Sequence, residues 1–322
     1  MKKLLLLPVF FIFTGTAFGQ KDSLIHKLDS LSKKTDSAGK QANNTAPRAY
    51  NKYTEITPSA FLTLQASNLK QAFTKPFHMT GKDWKTTGKF VLVLGGLAFA
   101  DEPVQRWAAD LREHNSNSTL LNVSHQVTNF GGLYEGYTLG ALGAYGFLFK
   151  NEKMQTTTLL ALQSYITGAA VEAVLKFVSG RQRPEAINAA EAGAEPKFWG
   201  PFKTIRDAQG NKLNSSFPSG HTTVAFAAAT VYAMEYKDKL PWVPWLAYSA
   251  ASLIGVSRIT ENKHWLTDVV AGAALGYLTG RQVVNNYHRY AKLKSPKTSK
   301  NSVSFTMGYN YGQLTPGLLY RF

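Results

Sequence analysis

Three short stretches of this 322-residue chain combine residue types that can handle phosphate. In the first, Lys176 stands seven residues before Arg183, which is followed by Pro184. Seven residues are two helical turns, so both cations point the same way while a helix persists. Pro184 then biases the chain to leave the helix. The second stretch is Pro218-Ser219-Gly220-His221, at the start of an apolar segment. Ser219 can cap a helix there, Gly220 lets an anion approach the backbone, and the free N–H groups of a first turn bind phosphate. His221 would stand beside that anion, able to give or take a proton near neutral pH. The third stretch holds Ser257-Arg258, His264 and Asp268. His264 and Asp268 are i,i+4 and would share a helix face. A carboxylate bonded to one imidazole nitrogen fixes the tautomer and frees the other nitrogen as nucleophile or base. Arg258 offers a planar fork for phosphate oxygens. Taken singly, the three spacings also fit a solvated basic helix end, an ordinary capped turn and a structural His–Asp pair.

The elements that must position these residues are apolar helical segments at 89–100, 137–149, 157–178, 222–236, 242–256 and 266–284. Ala, Gly and Leu dominate them without strand-like alternation, which predicts an all-α bundle of about six helices. The first stretch closes the third segment and the second opens the fourth. The third stretch joins the fifth segment to the sixth. An up-and-down bundle therefore brings all three to one end. Three cations, a helix N-terminus, a proton-transferring histidine and a His–Asp pair around one pocket suit phosphoryl transfer. No Asp/Glu/His set has metal-ligand spacing, so a metal-independent reaction without a cofactor is expected. Glu172, four residues before Lys176, reads as its helix salt-bridge partner. The connection 185–217 reads as a lid or rim, with Phe198, Trp199, Phe202 and Phe217 either packing it onto the bundle or touching an apolar part of the substrate.

The order Lys-x6-Arg-Pro, Pro-Ser-Gly-His, Ser-Arg-x5-His-x3-Asp resembles the type 2 phosphatidic acid phosphatase and vanadium haloperoxidase superfamily, with every motif position met over roughly residues 85–285. The resemblance implies that His264 is the nucleophile of a phosphohistidine pathway, oriented by Asp268. It implies that His221 protonates the leaving group, and that Lys176, Arg183, Arg258, Ser219 and the Gly220 amide hold the phosphoryl oxygens. The expected activity is a phosphatase acting on phosphomonoester or diphosphate groups of an envelope lipid. A vanadate-dependent haloperoxidase, a soluble periplasmic acid phosphatase and a non-catalytic anchor are the alternatives. The motifs do not select the head group.

The charge of the chain agrees with a phosphorylated partner but distributes unevenly. There are 36 Lys+Arg against 20 Asp+Glu, a net +16. Residues 90–280 are neutral overall, and the excess lies in 21–89 and 281–300. Nucleic-acid binding normally needs a basic face on the folded domain. The basic flanks instead suit a solvated linker and an anionic membrane surface. The absence of cysteine rules out disulfides and thiolate metal sites. Residues 1–19 read as a signal peptide: Lys2 and Lys3, an apolar run, then small Ala17 and Gly19 before Gln20. Residues 20–84 read as a polar linker and N-terminal extension, in which Leu24, Leu28 and Leu31 have the spacing of a short helix. In the basic tail 286–322, residues 303–312 alternate like a strand, Pro316-Gly317 marks a turn, and 318–322 return as the second strand of a β-hairpin on the helical core.

Basic segments at 150–153, 237–239 and 281–300 fall at the bundle end opposite the motifs. By the positive-inside rule this predicts a membrane-associated protein whose site faces the periplasm. A cleaved signal peptide followed by three full spans would put the first motif inside, so one early helix, 89–100 being the shortest, is expected not to span.

Overall fold

The computed structural model describes residues 18–35, 50, 54–114, 119–186, 196–294, 302–310 and 313–321. Residues 1–17 of the expected signal peptide lie outside them. Ten α-helices occur among the described residues: α1 (Phe18–Thr35), α2 (Pro58–Thr74), α3 (Gly81–Ala98), α4 (Asp101–His114), α5 (Thr119–Asn129), α6 (Leu133–Leu148), α7 (Glu152–Ser179), α8 (Gly220–Tyr236), α9 (Val243–Thr260) and α10 (Leu266–Lys294). The six expected helices are α3 and α6 to α10. The count of six is corrected by α1, α2, α4 and α5. Three of these four sit with polarity turned inward or evenly mixed. Helix α2 buries Thr63, Gln65, Ser67, Asn68 and Gln71 while exposing Leu62 and Phe73. Helix α4 buries Asp101 and Gln105 while exposing Trp107. Helix α1 is polar along most of its length but buries Leu28 completely. The described part of the extension 20–84 is thus helical and packed on α7 and α10, where a linker was expected.

The apolar core gathers Leu28, Leu64, Leu160, Val231, Val283, Val284 and Tyr287 from α1, α2, α7, α8 and α10. Beside it runs a seam of buried amides. Gln65 Nε2 donates to Thr167 Oγ1 at 3.0 Å, Gln71 Nε2 to Asn286 Oδ1 at 3.0 Å, and Asn286 Nδ2 to Asn68 Oδ1 at 2.8 Å. The amide N–H groups of this seam tolerate burial because they are paired, while Gln65 Oε1 is buried without a partner.

Helices α8 and α10 make the closest approach, through Gly272, Gly276 and Gly280. At four-residue intervals these form one stripe on α10. A Cβ would stand 2.7 Å from the Ser219 carbonyl at Gly272, 2.5 Å from the Ala227 carbonyl at Gly280, and against the Thr223 carbonyl at Gly276. The stripe seats α8 along α10, and at its opening the Ser219 N–H reaches the Asp268 carbonyl in the first turn of α10. At the end of α7, Gly180 takes φ +54°, a left-handed cap that any Cβ would drive into the Gly200 carbonyl. The chain then doubles back, with Trp199 N–H donating to the Gly180 carbonyl at 3.1 Å and Gln182 N–H to that of Lys197 at 2.8 Å.

The basic ends of α7 and α8 lie together, away from this turn: Lys153 stands 4.6 Å from the Tyr236 ring centroid. In the tail, β1 (Ser302–Asn310) and β2 (Gln313–Arg321) pair antiparallel, Ser302 opposite Arg321 and Asn310 opposite Gln313. Pro316 and Gly317 pair with Met307 and Thr306 inside β2. The turn expected at Pro316-Gly317 is therefore corrected to the Asn310–Gln313 junction. The expected packing of this pair on the helices concerns side chains outside the described residues.

Candidate active site

Helix ends supply the site. Lys176 comes from the last turn of α7, and Arg183 from the chain just past the Gly180 cap. Gly220 and His221 form the first turn of α8, Arg258 the last turn of α9, and His264 the bend before α10. The three sequence clusters do meet. A Cβ on Gly220 would stand 3.2 Å from Lys176 Nζ and 2.7 Å from Glu172 Oε1. Glu172 pairs with Lys176. The His221 ring lies against the Gly131-Gly132 turn between α5 and α6, with Nε2 3.2 Å from where a Cβ of Gly132 would stand.

Each of the three cations has a carboxylate beside it. Besides Lys176 with Glu172, Arg183 Nη1 lies 3.3 Å from Glu185, and Arg258 Nη1 lies 2.7 Å from Glu261. Arg258 Nη1 also donates to Thr128 Oγ1 at 3.2 Å, so that one arm of its fork is held by both residues.

His264 is 2% exposed, and its Nδ1 sits 2.8 Å from the Ser216 carbonyl oxygen. A carbonyl can only accept, so Nδ1 carries the proton and Nε2 keeps its lone pair. No group among the described residues hydrogen-bonds Nε2. The direct bond expected from Asp268 is corrected: its Oδ2 is 3.6 Å from Nδ1. That oxygen instead accepts from Ser216 Oγ at 2.5 Å and from Trp265 N–H at 2.9 Å. Asp268 thus fixes the segment whose carbonyl orients the imidazole. It sits in the first turn of α10, one turn beyond His264, which precedes the helix.

Ser219 is corrected in a similar way. Its side chain caps no N–H. Ser219 is fully buried, and its Oγ accepts from Thr222 Oγ1 at 2.9 Å, while its main-chain N–H donates to the Asp268 carbonyl at 3.0 Å. It ties α8 to α10.

Arg181 was absent from the expected set and proves central. At 2% exposure it donates to Asp268 Oδ1 at 2.6 Å, Asp101 Oδ2 at 2.6 Å and Thr267 Oγ1 at 2.6 Å. Asp101 accepts further from Thr267 N–H at 2.8 Å, and Gln105 Nε2 donates to the His264 carbonyl at 2.7 Å. Helix α4 therefore supports both residues of the His–Asp pair. The only sequence signal was a second arginine two residues before Arg183, in a stretch where one cation already met the motif.

Electrostatics follow from burial and these neighbours. Burial, reinforced by Lys176 and Arg183, pushes His264 down to about 4, with Asp268 pulling the other way. Burial again, then Arg258, His264, Lys176 and Arg183, pushes His221 down to about 3. Both imidazoles are neutral at pH 7. Burial alone would raise Asp268, but the donors around it, with Arg181 and His264, hold its carboxyl below the usual range. An anion placed among the three cations would favour the charged form of His221. Among the described residues, no group of three or more His, Asp or Glu is arranged to hold a metal ion.

The rim loop is fixed to the bundle in part. Trp199 Nε1 donates to Gln182 Oε1 at 3.2 Å, and the Phe198 ring lies 5.1 Å from the Arg181 guanidinium. Phe202 is 97% exposed and packs on nothing.

Residues 157–292, which hold all three clusters, match the family model of the PAP2 superfamily. The chain is similar to the lipid A 1-phosphatase of Porphyromonas gingivalis, 50% identical over 20% of this chain and 15% of that protein. It is also similar to the lipid A 4'-phosphatase of the same organism, 32% identical over 29% of this chain and 37% of that protein. The chain thus spans well under two thirds of either relative. A solved transmembrane PAP2 type phosphatidylglycerolphosphate phosphatase from Bacillus subtilis superposes with a TM-score of 0.43 at 22% identity, covering 60% of this chain and 90% of that one. Helices α4 and α5, which hold Asp101, Gln105 and Thr128, lie before the matched PAP2 segment.

Proposed function

We propose that this protein is a lipid phosphatase that removes phosphate from an envelope lipid through a phosphohistidine intermediate. The observation that carries the reading is the convergence of Lys176, Arg183 and Arg258 on two neutral histidines, one with an unbonded Nε2. His264 Nε2 attacks phosphorus, the N–P bond forms and the bond to the leaving oxygen breaks. The leaving oxygen takes its proton from His221. His221, now neutral, accepts a proton from water, and the hydroxide displaces His264 from phosphorus. The cations and the Gly220 amide stabilise charge on the transferring phosphoryl oxygens, the dominant contribution in such reactions. In the empty site His221 is neutral, so the substrate's own negative charge must bring in the proton that His221 delivers. No metal ion takes part in the proposed steps.

The names of the two P. gingivalis relatives support a lipid phosphate substrate. Membrane association is supported by α7, which among the described residues has the length and composition to cross a bilayer. It is supported further by apolar side chains left exposed on α3 (Leu92, Val93) and α9 (Trp245, Leu246, Leu253). We place the site on the periplasmic face, opposite the basic ends of α7 and α8. The test is phosphate release from a panel of lipid phosphates with chelator present, together with acid-labile phosphate trapped on His264. Retained turnover in His264→Ala, or turnover lost to chelation, refutes the mechanism. Single cysteines introduced into this cysteine-free chain report orientation through labelling by a membrane-impermeant thiol reagent.

A further inference from the structure

Helix α5 stands before the segment that matches the family model, yet it reaches two groups of the site. Its last turn carries the buried Thr128 beside Arg258. The helix then runs into the Gly131-Gly132 turn beside His221, where Gly131 N–H donates to the Thr128 carbonyl at 2.9 Å. The proposed reaction assigns Thr128 no role.

The hydroxyls between α5 and α9 are oriented by what each can donate. Ser257 Oγ donates to the Ile254 carbonyl at 2.7 Å. A hydroxyl has a single proton to give. In its 2.7 Å contact with Thr128 Oγ1 the Ser257 oxygen therefore accepts, and Thr128 donates. The Thr128 oxygen is left with lone pairs for its other neighbour, Arg258 Nη1, at 3.2 Å. The chain of bonds runs one way, from the guanidinium through Thr128 and Ser257 to the main chain. One turn earlier Ser124 Oγ bonds Thr260 Oγ1 at 2.6 Å, and Arg112 of α4 donates to the Thr260 carbonyl at 3.0 Å. These contacts fasten α5 and α4 to the last turn of α9 and make Thr128 a fixed acceptor.

The consequence appears at the guanidinium. Arg258 Nη1 is taken up by Thr128 and by Glu261, the latter at 2.7 Å. Nε is buried without a partner, and Nη2 makes no hydrogen bond among the described residues. Nε and Nη2 share one edge of the planar group, an edge that can donate two parallel bonds to a phosphoryl group. Arg183 has no such edge to spare: its Nη1 goes to Glu185 and its Nη2 to Ser215, each at 3.3 Å. A single contact with Glu261 would let the Arg258 fork pivot. A second acceptor from another helix fixes its plane.

We propose that Thr128 is a positioning residue, which holds the Arg258 guanidinium so that its Nε–Nη2 edge meets the transferring phosphoryl group. The proposal rests on Arg258 as a phosphate-binding cation of the phosphatase described above. The experiment uses the full-length protein in detergent. Thr128→Val keeps the shape and removes the acceptor, and Thr128→Ser keeps the hydroxyl. Each is also combined with Arg258→Lys, whose ammonium has the charge but no planar edge. Steady-state turnover of phosphatidic acid and calorimetric binding of vanadate are the two readouts. In the native background Thr128→Val lowers kcat and vanadate affinity about tenfold or more, while KM moves less than about threefold, as for a misaligned transition-state contact. Thr128→Ser recovers most of both. In the Arg258→Lys background the valine costs less than about twofold, whereas a merely structural threonine would cost the same in each. Equal losses in the two backgrounds, no loss in the native one, or no recovery by serine overturn the positioning role. If Thr128→Val does not fold, Thr128→Ala is read in the same way. Vanadate affinity still decides the role if a folded wild type turns over no phosphoester, an outcome that overturns the phosphatase reading instead.

Discussion

Among the described residues two buried histidine–carboxylate pairs stand out, and the proposed chemistry uses only one of them. At the motif end, His264 lies near Asp268, donates Nδ1–H to a main-chain carbonyl and leaves Nε2 without a hydrogen bond among the described residues, in the field of Lys176 and Arg183. In the seam between α8 and α10, His288 Nε2 bonds Glu235 directly at 2.8 Å, Tyr50 donates to the other Glu235 oxygen, and His288 Nδ1 is buried without a partner. The second pair has the better hydrogen bond and no neighbouring arginine or lysine side chain bonded to it. A close His–carboxylate contact is thus a property of stable packing as much as of catalysis. Each pair leaves one ring nitrogen unbonded and fixes its tautomer through the other, so what sets His264 apart is a field of nearby cations that favours an anion.

The largest expected contrast comes from removing each imidazole. His264→Ala lowers kcat by several orders of magnitude with the fold retained, as loss of a nucleophile does. His288→Ala leaves kcat per folded molecule close to wild type and lowers the melting temperature. Similar kcat in the two variants would erase the distinction. Next is Arg181→Met, which leaves Asp101 and Asp268 buried without their shared cation. Such a loss costs about 3–5 kcal/mol, and denaturant unfolding should show it, with Arg181→Lys recovering part. Glu235→Gln should lower thermal stability less, because a neutral amide can still accept from His288, and should leave the pH profile of turnover unchanged. Gly220→Ala puts a methyl 2.7 Å from Glu172 Oε1. It should raise KM more than it lowers kcat, measurable by steady-state kinetics.

The finest test is a proton count. An empty-site value of about 3 for His221 rises when an anion enters among the cations. Binding then takes up a proton, and affinity for vanadate strengthens as pH falls from the bound value towards 3. Calorimetry in buffers of different ionisation enthalpy should detect the uptake in wild type and not in His221→Gln. Uptake unchanged in the variant would remove His221 from the acid role. The stability of the fold moves the opposite way. His264 titrates near 6.5 when unfolded and near 4 when folded, so stability declines as pH falls through that window.

The motif end was legible because its residues sit within a few positions of helix termini, where spacing along the chain maps onto spacing in the fold. The segments that became α7, α8, α9 and α10 were legible from their length and apolar composition, whether the apolar residues are buried, as Val224 and Val231 are on α8, or exposed, as Phe177 is on α7 and Trp245 on α9. What escaped was carried by long-range polar contacts. Arg181 reaches Asp101 across eighty positions, and Gln105 reaches His264 across more than a hundred and fifty. Asp101 and Gln105 share the buried face of α4 with Ala108, so two polar side chains sit where hydrophobic patterning looks for apolar ones. Ser219 shows a subtler failure. A serine before a helix fits a cap by type, but here its hydroxyl is taken up by Thr222 of the same helix, and its main-chain N–H makes the tie to α10.

The Arg181–Asp101 contact sets a limit on modularity. The segment that matches the family model contains Asp268, one of the two carboxylates on its buried Arg181, but not Asp101, the other. Exchanging that segment between relatives, or expressing it alone, would separate α4 from the charge it serves. Recombination within this lineage should therefore carry α4 and α5 along with the motifs, and the functional unit of inheritance is longer than the one sequence similarity outlines.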